Sequence, residues 1–471
     1  MDKKEMENTQ IFKRYLNPNK LQEIEEGKEG KEAFFNLIET IPRNLTEEAF
    51  NEKVADLIIE YTNIIMLKST NSIHMYNYIT HRWESKGEIW LQRLVYEVTK
   101  SVDDTNLWYR ERNTCEHIKR KLCMLETFSD DYLVLTNGTF DRRTGEIIES
   151  QSNHYAHFFS TVVYDSEKKC ARFLQFLNEV FYSDPSTIAF VQEWFGYVLL
   201  SSHQANAFLI GYGSGANGKS LLFALLAKLV GECNTSSSGI SAFQSRFGME
   251  VMHNKLLNLA TESDVNSFET ATLKAVTAGE PITLNRKGIK EITCILPTKF
   301  IFLMNHLPLI TDSSYGFSRR LLILPFPRTF RPEEQDPFLL EKMTLELSGI
   351  LNFALEGAKR LIKNGYQFTI SDLMHEAKEQ FLGCVHPLSY FKAHYLSKNP
   401  TKKMESNLLF QTFQKMLKEK NWSARQYGTL RSFNKGLIEL FEAEGFVIST
   451  KKSNGKTYLS GIVLNQSIQE L

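Results

Sequence analysis

One stretch narrows the choice of fold more than any other. In NAFLIGYGSGANGKSLLFALLAKLVG an apolar run, Ala207 to Ile210, leads into GSGANGKS, Gly213 to Ser220, and a helix-like apolar run follows. A buried strand, a glycine-bearing turn and a helix in that order belong to an α/β sheet. The turn fits G-x-x-x-x-G-K-[ST]. Gly213, Gly215 and Gly218 let backbone N–H groups turn inward around phosphates, and Ser214, Ala216 and Asn217 complete the turn. Lys219 is spaced to reach the terminal phosphates, and the Ser220 hydroxyl to ligate Mg²⁺. The helix mouth adds partial positive charge. ATP with Mg²⁺ is the expected cofactor pair.

Hydrolysis also needs an acid at a strand end. LLNLATESD supplies Glu262 at the tip of a strand-like run, with Asp264 in reserve; Thr261 stands where a first acid would be expected. Glu262 is the expected partner of Ser220 on the nucleotide's magnesium. In LPTKFIFLMNHLP another strand ends in Asn305, before His306, Leu307 and Pro308, where an amide could position water. SSYGFSRRLLILPF then brings Arg319 and Arg320 ahead of a further strand. A guanidinium from either could stabilise transition-state charge on a neighbouring subunit's nucleotide, which requires a ring or a dimer.

Between the acid strand and Asn305, PITLNRK and KEITCIL flank Gly288 and predict a β-hairpin with Arg286, Lys287 and Lys290 at its tip. Such a tip can grip phosphates without reading sequence. Lys274, in LKAVTAGE, is a weaker candidate for a nucleotide or subunit contact.

Along the rest of the chain, residues 1–70 show apolar spacing of helical period, with Asn44 and Thr46 at cap positions. Residues 71–167 suggest a small α+β domain, with Tyr76, Tyr78, Trp83 and Trp90 in strand-like segments and turns at Asn137-Gly138 and Thr144-Gly145. Residues 168–385 hold a helical lead-in, started by Asp184-Pro185, then the phosphate-loop core and the helices after it. Residues 386–471 suggest three helices and a terminal strand pair around Ser453-Asn454-Gly455, the layout of a winged helix. There LRSFNKGLIELFEAEG would be the recognition helix, and Lys451, Lys452 and Lys456 would lie on the wing against DNA.

Net charge is +0, but from Cys384 onward 13 Lys and Arg face 6 Glu and no Asp, which leans toward a nucleic-acid contact. No run approaches the roughly 18 apolar residues of a membrane span. The N-terminus lacks a signal-like apolar stretch, and six scattered cysteines form no C-x-x-C pair, so a reduced cytoplasmic setting is expected. His154 with His157, and Cys115 with His117, fall short of a four-ligand zinc pattern.

Taken in order, GSGANGKS, LLNLATES, LKAVTAGEPITLNRKGIKEI, PTKFIFLMNHLP and SRRLLILPF resemble the conserved regions of superfamily 3 helicases. More narrowly, residues from about 75 to about 390 are similar to the C-terminal half of phage and plasmid primase–helicases, including the stand-alone helicases of staphylococcal chromosome cassettes. The resemblance implies an α/β P-loop NTPase core of AAA+-like type, with an α+β N-terminal region and a C-terminal winged-helix domain. It further implies a homo-hexameric ring moving on single-stranded or forked DNA, most often 3′ to 5′. The family's primase domain has no counterpart, so a separate primase, polymerase or initiator protein is the implied partner. Three functions are open: a replicative DNA helicase first, then an ATP-switched replication initiator or loader without processive unwinding. A protein-remodelling ATPase comes last, because a basic hairpin is the wrong sign for it.

Overall fold

The chain is described from a computed structural model that covers residues 14–22, 30–42, 44–102, 107–262, 270–305, 314–385, 387–420, 422, 424, 427–442, 444–453 and 455–465. After a five-residue helix at Pro18–Gln22 come helices α1 (Gly30–Glu39) and α2 (Glu47–Tyr61), and the Thr46 side chain accepts from the Ala49 amide to cap α2. Strands β1 (Ile64–Leu67), β2 (Ser72–Asn77) and β3 (Arg82–Glu84) follow, then helices α3 (Gly87–Val102) and α4 (Leu107–Lys121) and strand β4 (Cys123–Leu125). A second small sheet is built from β5 (Ser129–Leu135), β6 (Gly138–Asp141), β7 (Glu146–Ile148) and β8 (Ala156–Phe159).

The expected division at residue 70 does not match the packing. Val54 and Ile58 of α2 share one buried core with Ile64, Ile73 and Met75 of the β3-β2-β1-β4 sheet and with Leu94 and Ile118 of the next two helices. That core closes near Leu122. Leu133, Phe140 and Phe158 of the second sheet instead join the core of the following region. Trp90 lies on α3 rather than a strand, while Tyr76 and Trp83 are on strands and Tyr78 just follows β2.

Helices α5 (Ala171–Val180) and α6 (Pro185–Leu199) come next, and Asp184 caps α6 through the Ser186 and Thr187 amides. Arg142, from the turn after β6, is fully buried and donates to the carbonyls of Leu199, Leu200 and Asp130. It ties the second small sheet to the C-terminal end of α6, where carbonyls lack helical partners.

The centre is a sheet of β9 (Phe208–Tyr212), β10 (Thr235–Ser236), β11 (Leu257–Glu262), β14 (Lys299–Met304) and β15 (Leu321–Pro325), all parallel, in the order β10-β11-β14-β9-β15. Alternate residues serve two cores. Leu209, Ile301, Leu303 and Leu322 face one, and Phe208, Ile210, Phe300, Phe302 and Ile323 face the other. Strands covered on both faces are the signature of helices on either side of a parallel sheet. Helix α7 (Lys219–Val230) links β9 to β10 and α8 (Thr270–Thr277) follows β11. Strands β12 (Ile282–Arg286) and β13 (Ile289–Cys294) form a separate antiparallel hairpin, and α9 (Tyr315–Ser318) precedes β15. After β15 come α10 (Leu339–Thr344), α11 (Leu347–Lys363) and α12 (Asp372–Val385). Glu193 of α6 is fully buried, pairs with Arg360 of α11 at 2.7 Å and accepts from Thr369.

The C-terminal unit has its own core, with Phe391, Phe413, Phe433 and Leu459 at 0% exposure. It runs α13 (Pro387–Tyr395), β16 (Leu396–Glu405), α14 (Ser406–Glu419), α15 (Leu430–Glu442), β17 (Ser449–Ser453) and β18 (Lys456–Leu464). The sheet has three strands in the order β16-β18-β17, one more than the sequence suggested.

Candidate functional site: a cavity at the carboxyl ends of the parallel sheet

Strand register puts the expected residues on one level. Glu262 pairs with Met304, Met304 with Tyr212 and Tyr212 with Pro325, so β11, β14, β9 and β15 end together. The turn Gly213–Gly218 leaves β9 at that level and enters α7 at Lys219. Gly218 has φ +82°, and a Cβ there would lie 2.8 Å from the Phe176 ring. At Gly213 a Cβ would meet Nδ2 of the Asn217 side chain at 2.3 Å and the Phe326 carbonyl oxygen at 3.0 Å, so a larger residue there would displace the Asn217 side chain that braces the turn. Gly218, at the N-cap of α7, has no side chain to offer, and the Asn217 side chain takes only the first N–H of the helix, that of Lys219.

Lys219 is 6% exposed. Its Nζ donates to the Gly213 carbonyl (2.5 Å), the Met304 carbonyl (3.2 Å) and Asn305 Oδ1 (2.9 Å). Burial lowers its proton affinity from the usual lysine value. Asn217 Oδ1 accepts from the Lys219 amide at 3.3 Å and so holds the turn from within. The structure therefore brings together two segments far apart in sequence: the turn with the mouth of α7, and the end of β14.

These groups line a cavity of about 440 Å³, a size that suits a small organic ligand. Ser220, Thr261 and Asn305 face it from the sheet side. Of Glu262 only the backbone position is described, level with Met304. Asp264 and His306 to Pro308 lie outside the described residues. The far wall was not expected. Arg172 and Phe176 come from α5, and Phe330 and Leu339 from the chain after β15. Arg172 sits 3.6 Å from Glu179, and the Phe330 amide donates to the Ala216 carbonyl at 2.8 Å, tying that wall to the turn. The only hint in the sequence was the i, i+4 spacing of Arg172 and Phe176 on one helical face.

Arg319 and Arg320 are at the other end of β15. Five residues of strand, about 17 Å, separate them from the cavity level. Arg320 is 8% exposed and donates to the Gly316 carbonyl at 2.6 Å, whereas Arg319 is exposed. Within one chain neither reaches the cavity. Lys274 is on their side of the sheet, its Nζ 3.5 Å from Ser314 Oγ.

The hairpin turns at Lys287-Gly288, where Gly288 has φ +73°. Leu284 anchors it in the core, Lys287 and Lys290 are exposed and Arg286 is half-buried. The Lys287 amide donates to Glu250 Oε2 at 3.3 Å, which joins the tip to the segment carrying Phe247. Phe247 is 41% exposed with the Arg246 guanidinium 5.4 Å from its ring centre, a second surface element that the sequence reading passed over. In the C-terminal unit Lys451 and Lys452 are exposed on β17, and Lys456 pairs with Glu405 at 2.8 Å. Among the described residues no group of three or more His, Cys, Asp or Glu could hold a metal ion, and no helix is long and apolar enough to cross a membrane.

Two family models match the chain. Residues 211–320 match a family of unknown function (DUF5906), and residues 55–182 match the D5 N terminal like family. The second overlaps the stretch on which the likeness to phage and plasmid primase–helicases rests, and it supports kinship with phage or mobile-element replication proteins at that coarse level. Among solved structures, the A form apo structure of the NrS-1 C-terminal region aligns at 15% identity over 90% of this chain and 100% of that one, with a TM-score of 0.47. A second apo structure of the same region aligns at 14% identity over 89% and 100%, also at 0.47. Likeness at that level fixes neither chemistry nor assembly.

Proposed function

We propose that this chain is an ATP-dependent DNA helicase of the superfamily 3 type, working as a homo-hexameric ring in the replication of a phage, plasmid or mobile element. One observation carries the reading. The Lys219 amine meets Asn305 at 2.9 Å inside a cavity of about 440 Å³, at the mouth of α7 and beside the end of β11. In this reading the triphosphate lies along the turn Gly213–Ser220, with main-chain amides around it and Lys219 as the point charge. The Ser220 hydroxyl and the Glu262 carboxylate are hard oxygen donors of the kind Mg²⁺ takes alongside phosphate oxygens. Bound Mg²⁺ would neutralise developing phosphate charge. Asn305 would orient the attacking water. Arg319, exposed and remote from its own cavity, would serve the cavity of the next protomer.

The strand would pass the basic hairpin tip, with Phe247 beside it. Lysines there suit phosphates, and an exposed ring suits bases. The decisive experiment is strand displacement on forked DNA with ATP. Separation that Lys219→Ala abolishes supports the proposal. DNA-stimulated hydrolysis without separation would replace it with an initiator or loader, and a purified protein that does not bind ATP would end it. Within the helicase reading, Lys287→Ala with Lys290→Ala should remove the DNA stimulation of hydrolysis.

A further inference from the structure

Register sorts the three-stranded C-terminal sheet by face. Side chains alternate along a strand, and directly paired residues share a face. Leu459 of β18 is fully buried, so its partners Met404 and Thr450 lie on the inward side. The outward side then holds Lys403 and Glu405 from β16, Lys456, Tyr458 and Ser460 from β18, and Ser449, Lys451 and Ser453 from β17. Two contacts check the assignment independently. The Lys403 amine lies 5.0 Å from the Tyr458 ring centre, and Lys456 reaches Glu405 at 2.8 Å. Lys452 falls on the opposite side of the ribbon.

The outward face thus carries three lysines, three serines, one tyrosine and a single glutamate already matched by Lys456. Lysine, serine and tyrosine side chains are the ones that contact nucleic-acid phosphates and fix position without specifying sequence. Helix α15, the expected recognition helix, is different. Its exposed charges are Arg431, Lys435, Glu439 and Glu442, evenly balanced, with Lys435 3.8 Å from Glu439. Acids on that helix oppose entry into a groove lined by phosphates.

We propose that the outward sheet face of β16, β18 and β17 binds the phosphate backbone of duplex DNA without reading sequence, and that α15 stays out of the groove. Duplex fits better than single strand because single strands need open aromatic platforms. The one ring on this face, Tyr458, is covered by Lys403. Lys403 is the new member of the site, supplied by a strand with no apolar alternation to announce it.

The inference rests on the nucleic-acid side of the proposed function but not on hydrolysis. The test is fluorescence anisotropy of a labelled blunt duplex over a range of salt. It uses the full chain carrying Lys287→Ala and Lys290→Ala, so that the hairpin does not contribute. Adding Lys403→Ala and Lys451→Ala is expected to weaken binding roughly tenfold and to reduce the slope of log affinity against log salt by about 2. Adding Arg431→Ala and Lys435→Ala instead should change neither. Unaltered thermal midpoints in both sets would exclude unfolding as the cause. The proposal is overturned if the helix pair weakens binding as much as the sheet pair, or if the sheet pair binds like its parent. It is equally overturned by a parent that does not hold duplex, or by a single-strand preference that Tyr458→Ala removes. A protein that fails to hydrolyse ATP yet gives the expected slope change would count against the motor and leave this face standing.

Discussion

Two lysines are buried at opposite ends of the same parallel sheet. Lys219 follows β9 at the carboxyl ends of the strands, and Lys299 opens β14 at the amino ends. They are 6% and 2% exposed, and burial lowers the proton affinity of both. Each amine is held by oxygen acceptors: Gly213, Met304 and Asn305 for Lys219, and the Ser202 carbonyl at 2.8 Å for Lys299. The surroundings differ. Lys219 lines a cavity of about 440 Å³, while Lys299 packs 4.7 Å from the centre of the Tyr197 ring. A perturbed cation therefore does not by itself mark a site. Room for a ligand beside it, and convergent donors around that room, are what separate the two.

The sharpest test of this contrast is one substitution made at both ends. Lys219→Met should drop ATP hydrolysis to background while leaving the thermal midpoint near that of the parent. Lys299→Met should retain hydrolysis, because the residue is remote from the cavity; it keeps the side-chain volume but leaves the Ser202 carbonyl without its donor, at a cost of about 1–3 kcal/mol. Truncation there is harsher. Lys299→Ala opens a hole and should cost about 2–4 kcal/mol, read as a fall in midpoint. Equal losses of hydrolysis from both methionine variants would dissolve the contrast.

A second pair probes the amino-terminal end further. Arg319→Ala should lower turnover about 10³-fold with ATP binding intact, the loss expected when an arginine supplied across a subunit boundary is removed. Mixing it with Lys219→Ala protein should recover part of the activity, since each variant then repairs the other's defect at mixed interfaces. Arg320→Ala should instead lower the thermal midpoint, because its guanidinium is buried against the Gly316 carbonyl. Loss of activity without rescue by mixing would move Arg319 out of the mechanism.

What the sequence disclosed, and what it hid, follows the same line. The turn Gly213–Ser220 was legible because its constraints are local: positive φ at Gly218, close approach at Gly213 and an apolar strand before it. Four of the five parallel strands were legible because they are buried on both faces and therefore mostly apolar; β10, only Thr235–Ser236, was not. The far wall of the cavity was not, since Arg172, Phe176 and Phe330 reach it only through tertiary packing. Strand β16 was missed for a related reason. LSKNPTKKME has no alternation of its own, and it is a strand because β18 supplies the partner. Helix α4, LWYRERNTCEHIKRK, is so polar that only Thr114, Cys115 and Ile118 are buried, too few for the period to stand out. The boundary expected near residue 70 failed because Ile73 and Met75 complete a core begun by Val54 and Ile58, a pairing that no local pattern encodes.

A further expected effect is one of pH, and it again concerns the packed end. His157 and His203 lie near Arg142, and burial first, then neighbouring cations, push both down to about 3. For His157 Arg142 is followed by His253 when protonated, and for His203 Lys299 comes before Arg142. A histidine whose folded value is below its unfolded 6.5 stays neutral in the folded chain while the unfolded chain takes up a proton. Stability contributed this way is present above about pH 6.5 and is lost as pH falls toward 3, by at most about 1.4 kcal/mol per pH unit for each ring. The thermal midpoint should accordingly fall between pH 7 and pH 5, and His203→Gln should flatten part of that fall. Among the described residues none that lines the cavity is a histidine, so ATP binding measured well below the midpoint temperature should vary less over the same range than stability does. A midpoint indifferent to pH in that window would mean that these rings are solvated, and that the amino-terminal end of the sheet is looser than its buried cations imply.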